Sequence, residues 1–166
     1  MLDLGTGSGA IALALAKERP KVNMLAVDSS QAALEIAQLN ADKHGLNNVE
    51  FLLSDWFEQV KQKKFDVIVS NPPYIEPNDP HLRKGDLRFE PKQALIGASD
   101  GLGDIRRIIN GSSHHLNDGG LVVIEHGYDQ AFQVRDLFVK HGFVNLTNRR
   151  DLNQHIRCTS GQWQAS

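Results

Sequence analysis

Apolar, β-branched segments alternate along the chain with longer stretches of helical period. Residues 22–27 (Val-Asn-Met-Leu-Ala-Val), 49–53 (Val-Glu-Phe-Leu-Leu), 65–69 (Phe-Asp-Val-Ile-Val) and 121–124 (Leu-Val-Val-Ile) predict buried strands, with Leu2 to Leu4 the stub of a first one. Helices are predicted at 8–19, 30–44, 102–116 and 129–140. The second puts Ala33, Ile36, Ala37 and Asn40 on one face and stops at His44-Gly45. Such alternation implies a mostly parallel sheet covered by helices, a doubly wound α/β domain. The tail from Phe143 to Trp163 has strand-like stretches around Arg149-Arg150-Asp151 and reads as an antiparallel hairpin.

Against that pattern, the polar residues fall at strand ends: Asp3, Asp28, Asp55, Asn71 and Glu125. In an open α/β sheet the ligand crevice lies outside the carboxyl ends of the strands, at the point where the winding reverses, so these five side chains are expected to line it. A polar residue after a strand also caps the next helix, as Asp28 or Ser29 could. The last interval, from Asn71 to Glu125, holds the stretch Ile75 to Gly101, with Pro77, Pro80 and Pro91 and no clear period. Structureless loops longer than about 12–15 residues are usually functional or disordered, and this one reads as a substrate loop or lid.

Composition narrows the field. The chain has 166 residues, 40% of them hydrophobic and 23% charged, which is ordinary for a globular protein and suits one domain over residues 1–166. Its longest apolar run, Ala10 to Ala16, is far short of the roughly 20 residues of a membrane-spanning helix. With no leader-like start, a cytoplasmic location is expected, away from membranes. Cys158 is the only cysteine, so neither an internal disulfide nor a thiolate metal cluster can form. The net charge of −2 disfavours direct nucleic-acid binding, which usually needs a basic surface. His114, His115 and His126 lack a matching carboxylate or cysteine pattern, so no metal site is expected.

Two motifs carry candidate chemistry. Asp3-Leu4-Gly5-Thr6-Gly7-Ser8-Gly9-Ala10 follows the first strand and opens a helix. Glycines there let the chain turn tightly and a ligand approach closely. Gly5, Gly7 and Ala10 also satisfy the dinucleotide fingerprint, and Asp28 lies 23 residues after Gly5, where a ribose-binding acid is expected. Two adenosine cofactors therefore fit, a nicotinamide dinucleotide or a sulfonium methyl donor, beside a plain tight turn with no ligand. The second motif is Asn71-Pro72-Pro73-Tyr74, at the end of the fourth strand. A doubly wound order sets that strand beside the first, so the two motifs face each other. The Asn71 side-chain oxygen and the Pro72 carbonyl accept hydrogen bonds, the prolines stiffen the turn, and Tyr74 offers a flat face to a planar amide or base. This suits a conjugated, poorly nucleophilic nitrogen held against an electrophilic methyl carbon.

These residues resemble the PrmC/HemK family of protein-(glutamine-N5) methyltransferases, within the Rossmann-like class I methyltransferases. The resemblance rests on Asp3 to Ile11, Asp55-Trp56-Phe57, Asn71 to Ile75, Phe89-Glu90-Pro91-Lys-Gln-Ala-Leu95 and Asp100-Gly101-Leu102. It implies methyl transfer from S-adenosyl-L-methionine, with S-adenosyl-L-homocysteine as product, to the glutamine of the Gly-Gly-Gln loop in a peptide-chain release factor. It further implies that Gly5, Thr6, Gly7, Ser8 and Gly9 hold the methionine part of the cofactor. Asp3 would meet its amino group, Asp28 the ribose hydroxyls, and Asp55 and Trp56 the adenine. The glutamine amide falls to Asn71, Pro72, Pro73 and Tyr74, with Asn71 also at the cofactor. Glu90 shapes the substrate pocket and Glu125 supports the site. Family members carry a helical N-terminal recognition domain before the first strand, so the chain is expected to be the catalytic domain alone, its first strand truncated. An N6-adenine or other nucleobase-amino methyltransferase, an NAD-dependent oxidoreductase and a cofactor-binding module without turnover remain as alternatives.

Overall fold

The structure, a computed structural model, describes residues 1–75 and 101–165. Glu90 and most of the expected 75–101 loop lie outside the described residues. In chain order the elements are β1 (Leu2–Leu4), α1 (Ala10–Glu18), β2 (Met24–Asp28), α2 (Gln31–Lys43), β3 (Val49–Leu53) and β4 (Phe65–Ser70). After the undescribed stretch follow α3 (Gly103–His115), β5 (Leu116–Glu125), α4 (Ala131–Lys140), β6 (Val144–Arg150) and β7 (Ile156–Gln162).

Seven strands form one sheet in the order β3-β2-β1-β4-β5-β7-β6. The first five to appear in the chain pair in parallel, and β7 then runs antiparallel between β5 and β6. This is the doubly wound sheet with a C-terminal hairpin that the pattern predicts. The winding reverses between β1 and β4, where Leu2 to Leu4 pair with Met24's neighbours Leu25 to Val27 on one side and Ile68 to Ser70 on the other. Flanked on both sides, β1 is buried at every residue.

Local chemistry sets the element ends. The Ser30 side chain accepts from the Ala33 amide and caps α2. At its other end Gly45, at φ +64°, donates to Asp42 O and Leu46 donates to Ala41 O, a Schellman closure that ends the helix at the expected place. The core joins Leu2, Leu4, Val27, Ile68, Ile124 and Phe138 with the buried face of α3, Ile105, Ile108 and Ile109. Phe138 and Phe143 meet edge to face at 5.2 Å between ring centres.

Three expectations shift. β2 starts at Met24 rather than residue 22, because Val22 closes a turn onto Arg19 O and Asn48 Nδ2 donates to Val22 O at 2.9 Å. β5 is longer than 121–124. It begins at Leu116, with an irregularity in its pairing between Leu116 and Leu121 opposite Phe65 and Val67. Helix α2 packs on the core through Leu34, Ala37 and Ala41, while Ile36 is 51% exposed. The face through Ala33 and Ile36 instead borders the crevice described next.

Candidate active site

A cavity of about 840 Å³ opens at the carboxyl ends of β1, β2 and β4. The glycine turn forms its floor, and each glycine does different work. Gly5 (φ +71°) leaves room for Trp56, whose Cζ3 would stand 3.2 Å from an added Cβ. Gly9 (φ +88°) lets α1 and α2 approach, since a Cβ would meet Leu13 Cδ1 at 3.0 Å and Ala37 Cβ at 3.3 Å. Gly7 (φ +57°) alone of the three has nothing within 4 Å of its missing Cβ.

The turn's amides are mostly committed. Gly5 N and Thr6 N both donate to Val27 O at 2.9 Å, Gly9 N donates to Thr6 O, and Gly7 N donates to Asp28 Oδ2 at 2.8 Å. Asp28 Oδ1 accepts from Ser30 N at 2.9 Å. Two of the roughly four acceptor sites of that carboxylate are thereby used, which fixes it at the cavity wall with lone pairs to spare.

Asp3 lies beneath the turn, 1% exposed. Its Oδ2 accepts from Thr6 Oγ1 at 2.7 Å and from Ala12 N at 3.1 Å, while Oδ1 is buried with no hydrogen-bond partner. Burial pushes its carboxyl up to about 6, opposed by those two hydrogen bonds and reinforced by the nearby Asp28 charge. A buried carboxylate oxygen without a donor calls for a cationic or N–H-bearing group.

At the far end, Ser54 Oγ donates to Trp56 O and accepts from Gln59 N, which holds Trp56 in a left-handed conformation at φ 48°. Asp55 lines the cavity and pairs with Arg107 of α3 at 3.1 Å. Opposite, Ser70 Oγ donates to Leu4 O at 2.7 Å and ties the end of β4 to the end of β1. Asn71 and Pro73 thus line the same cavity as Gly5 to Ser8. Pro72 is buried. Tyr74 packs on the core, and burial, with Glu125 beside it, raises its phenol above the usual range.

Of the five strand-end residues expected to line the crevice, Asp28, Asp55 and Asn71 do so. Asp3 sits below the turn because it lies inside β1, paired with Ala26 of β2 on one side and Val69 of β4 on the other, and its carboxylate turns under the loop to Thr6 and Ala12. Glu125 departs from the expectation: it lies 3.4 Å from the Tyr74 hydroxyl, behind the turn. Ser54, Asp104 and Arg107 also line the cavity and were not anticipated. The only hint was the charged start of α3, directly after Asp100-Gly101-Leu102. Two of the three histidines singled out in the sequence, His115 and His126, have structural partners. His115 stacks on Phe57 at 4.7 Å, and buried His126 is bonded at both ring nitrogens, to Gly127 O and Thr159 Oγ1. Among the described residues no three His, Cys, Asp or Glu are grouped to hold a metal, and no helix is long and apolar enough to cross a membrane.

A sheet of this order, with a glycine turn after β1 and an acid after β2, is the fold of the Rossmann-like methyltransferases. The chain belongs to the methyltransferase small domain family, whose model matches residues 1–85. The T. thermophilus 16S rRNA N2 G1207 methyltransferase, solved with AdoMet and guanosine, shares the fold with a TM-score of 0.68 at 20% identity, over 98% of this chain and 37% of that one. More specifically, the sequence is similar to release factor glutamine methyltransferases. That of Xylella fastidiosa is 52% identical over 160 residues and that of Aliivibrio fischeri 47% over 164, covering 96% and 98% of this chain. The chain spans 58% of the length of each.

Proposed function

We propose that this chain transfers a methyl group from S-adenosyl-L-methionine to the side-chain amide nitrogen of the glutamine in the Gly-Gly-Gln loop of a peptide-chain release factor. The observation that carries the reading is the shared cavity. Asn71 and Pro73 face the glycine turn and Asp28 across one space. The names of the relatives point to the same substrate, and a cytoplasmic location accompanies it.

The residues fit the cofactor. The unpartnered Asp3 Oδ1 suits its ammonium group, the open side of Gly7 leaves room for its chain, and Asp28 keeps acceptors for ribose hydroxyls. Asp55 and Trp56, which line the same cavity, would meet its base. When bound, S-adenosyl-L-methionine supplies an electrophilic sulfonium methyl carbon. Asn71 and the Pro72 carbonyl accept the two amide N–H bonds, orient the nitrogen lone pair and stabilise the positive charge that develops there. Tyr74 backs the planar amide.

A dinucleotide is less well served. Its pyrophosphate needs free amides at the helix start, whereas those of Gly5, Thr6, Gly7 and Gly9 are donated within the protein. Incubation with methyl-labelled cofactor and either a release factor or oligonucleotides, with mass spectrometry locating the methyl, tests the reading. Label on the glutamine is expected, and label on a nucleobase amino group refutes it. Asn71→Ala should cut transfer by about 10²–10³ and leave cofactor affinity within a few-fold.

A further inference from the structure

Tyr74 is held by parts of the chain remote from the glycine turn. Arg157, on β7, donates from Nη2 to the Tyr74 hydroxyl at 2.7 Å, and its guanidinium carbon stands 5.3 Å from the ring centre. With Arg157 donating into the phenol oxygen, the hydroxyl's own proton is directed to Glu125 Oε1 at 3.4 Å. The backbone of the same residue is pinned as well. Gln130 Nε2 donates to Tyr74 O at 3.0 Å while its Oε1 accepts from Gly127 N at 2.9 Å, so the amide has one satisfied orientation. Gly101 (φ +71°) passes so close that a Cβ would lie 2.5 Å from that carbonyl.

The register of the hairpin delivers the arginine. Glu125 pairs with Cys158 across β5 and β7, and His126 N donates to Arg157 O at 3.0 Å. A slip of one residue would turn the Arg157 side chain to the opposite face of the sheet.

We propose that Arg157 is a positioning residue: through its bond to the phenol and its cation–π contact with the ring it fixes Tyr74, and with it the plane offered to the substrate amide. This rests on the reading of Asn71 to Tyr74 as the glutamine-binding turn. The hairpin then completes the site as well as extending the sheet. Arginine is suited to the task because its planar fork can bond and stack at once, which lysine's ammonium cannot.

Of the chain's two tyrosines, Tyr128→Phe removes the other, so NMR of ring-labelled protein reports Tyr74 alone. In that background Arg157→Met should move the Tyr74 signal towards its position in unfolded protein, and Arg157→Lys should shift it less. In the methyl-transfer assay Arg157→Met should lower kcat about 10-fold or more, with KM and cofactor Kd within about 2-fold. Added to Tyr74→Phe, it should cost less than about 3-fold further, since the bond it breaks is already gone. An unmoved ring signal, or the same loss in both backgrounds, overturns the proposal. If Arg157→Met does not fold, the ring signal of Arg157→Lys decides alone: unmoved, it refutes the role. Should the unsubstituted chain methylate no glutamine, the parent reading fails, and the ring signal still decides whether Arg157 holds Tyr74.

Discussion

Replacing Asp3 by asparagine removes a charge that the fold keeps at the expense of its own stability. The Asp3 carboxyl titrates at about 6 in the folded chain against 3.8 in the open one. Between those values the folded state holds a proton that the unfolded state has released, so stability falls as pH rises through this window. The difference from 3.8 to about 6, at 1.36 kcal/mol per pH unit, amounts to about 3 kcal/mol. That loss is absent below about pH 4 and complete somewhat above pH 6. Asparagine cannot ionise, yet its carbonyl can still accept from Thr6 Oγ1 and Ala12 N. The stability of Asp3→Asn minus that of the parent should therefore climb by about 3 kcal/mol from pH 4 to pH 7. For a chain of this size that is a relative rise in Tm of about 6–12 °C. Thermal unfolding of both proteins without cofactor, at half-unit pH steps, measures it. Parallel stability curves would show that Asp3 is not strained, and the unpartnered Oδ1 would lose its meaning as a seat for a cation. If it is that seat, Asp3→Asn should also weaken S-adenosyl-L-methionine binding at pH 7.5 by about 10-fold or more, the loss of one charge-assisted hydrogen bond.

Three further outcomes follow. Asp28→Ala strips the Gly7 and Ser30 amides of their acceptor and, on the proposed reading, the ribose of its partner, and calorimetry should show cofactor affinity at least about 10-fold weaker. Arg107→Ala breaks a pair whose side chains are both about half exposed, so denaturant midpoints should barely move, the effect staying under about 1 kcal/mol. The freed Asp55 should tighten cofactor binding by a few-fold, and weaker binding would instead mean that Arg107 itself touches the cofactor. Gly161→Ala places a Cβ 2.7 Å from both Leu146 Cδ2 and Phe138 Cδ1. Urea unfolding should show a loss of about 1–3 kcal/mol.

Parallel strands bring their carboxyl ends to one edge, which is why Asp28, Asp55 and Asn71 could be placed together from spacing alone. The same logic misplaced Glu125 because it treats each strand end as open to the crevice, whereas Glu125 is turned to the Tyr74 hydroxyl and does not line the cavity. Arg107 and Ser54 were not legible, since their arrival depends on how α3 rotates on the sheet and how the chain bends after β3. Arg157 and Gln130 depend on the hairpin's register, and nothing in Arg149 to Trp163 read as a one-dimensional pattern specifies that. Ile36 shows the limit from another side. Its spacing with Ala33 and Ala37 is helical, but periodicity does not say whether an apolar face meets a core or a ligand.

Charge also separates the chemistries that a glycine turn leaves open. Asp3 lies buried under the turn with Asp28 close enough to raise its proton affinity, and Asp55 stands at the cavity's other end. A helix start normally attracts anions through its free amides and dipole. Here both attractions are weakened, because Gly7 N is bound to a carboxylate and a second carboxylate faces Ala12 N from below. The field favours a ligand that brings positive charge to the first turn and hydroxyls to the second strand, which describes a sulfonium amino acid joined to a nucleoside better than a pyrophosphate. The acceptor turn at Asn71 continues the argument. Oxygens that face an amide nitrogen become better partners as that nitrogen turns cationic, so on the proposed reading the groups that would bind the cofactor's charge and those that would stabilise the reacting nitrogen act in the same electrostatic sense.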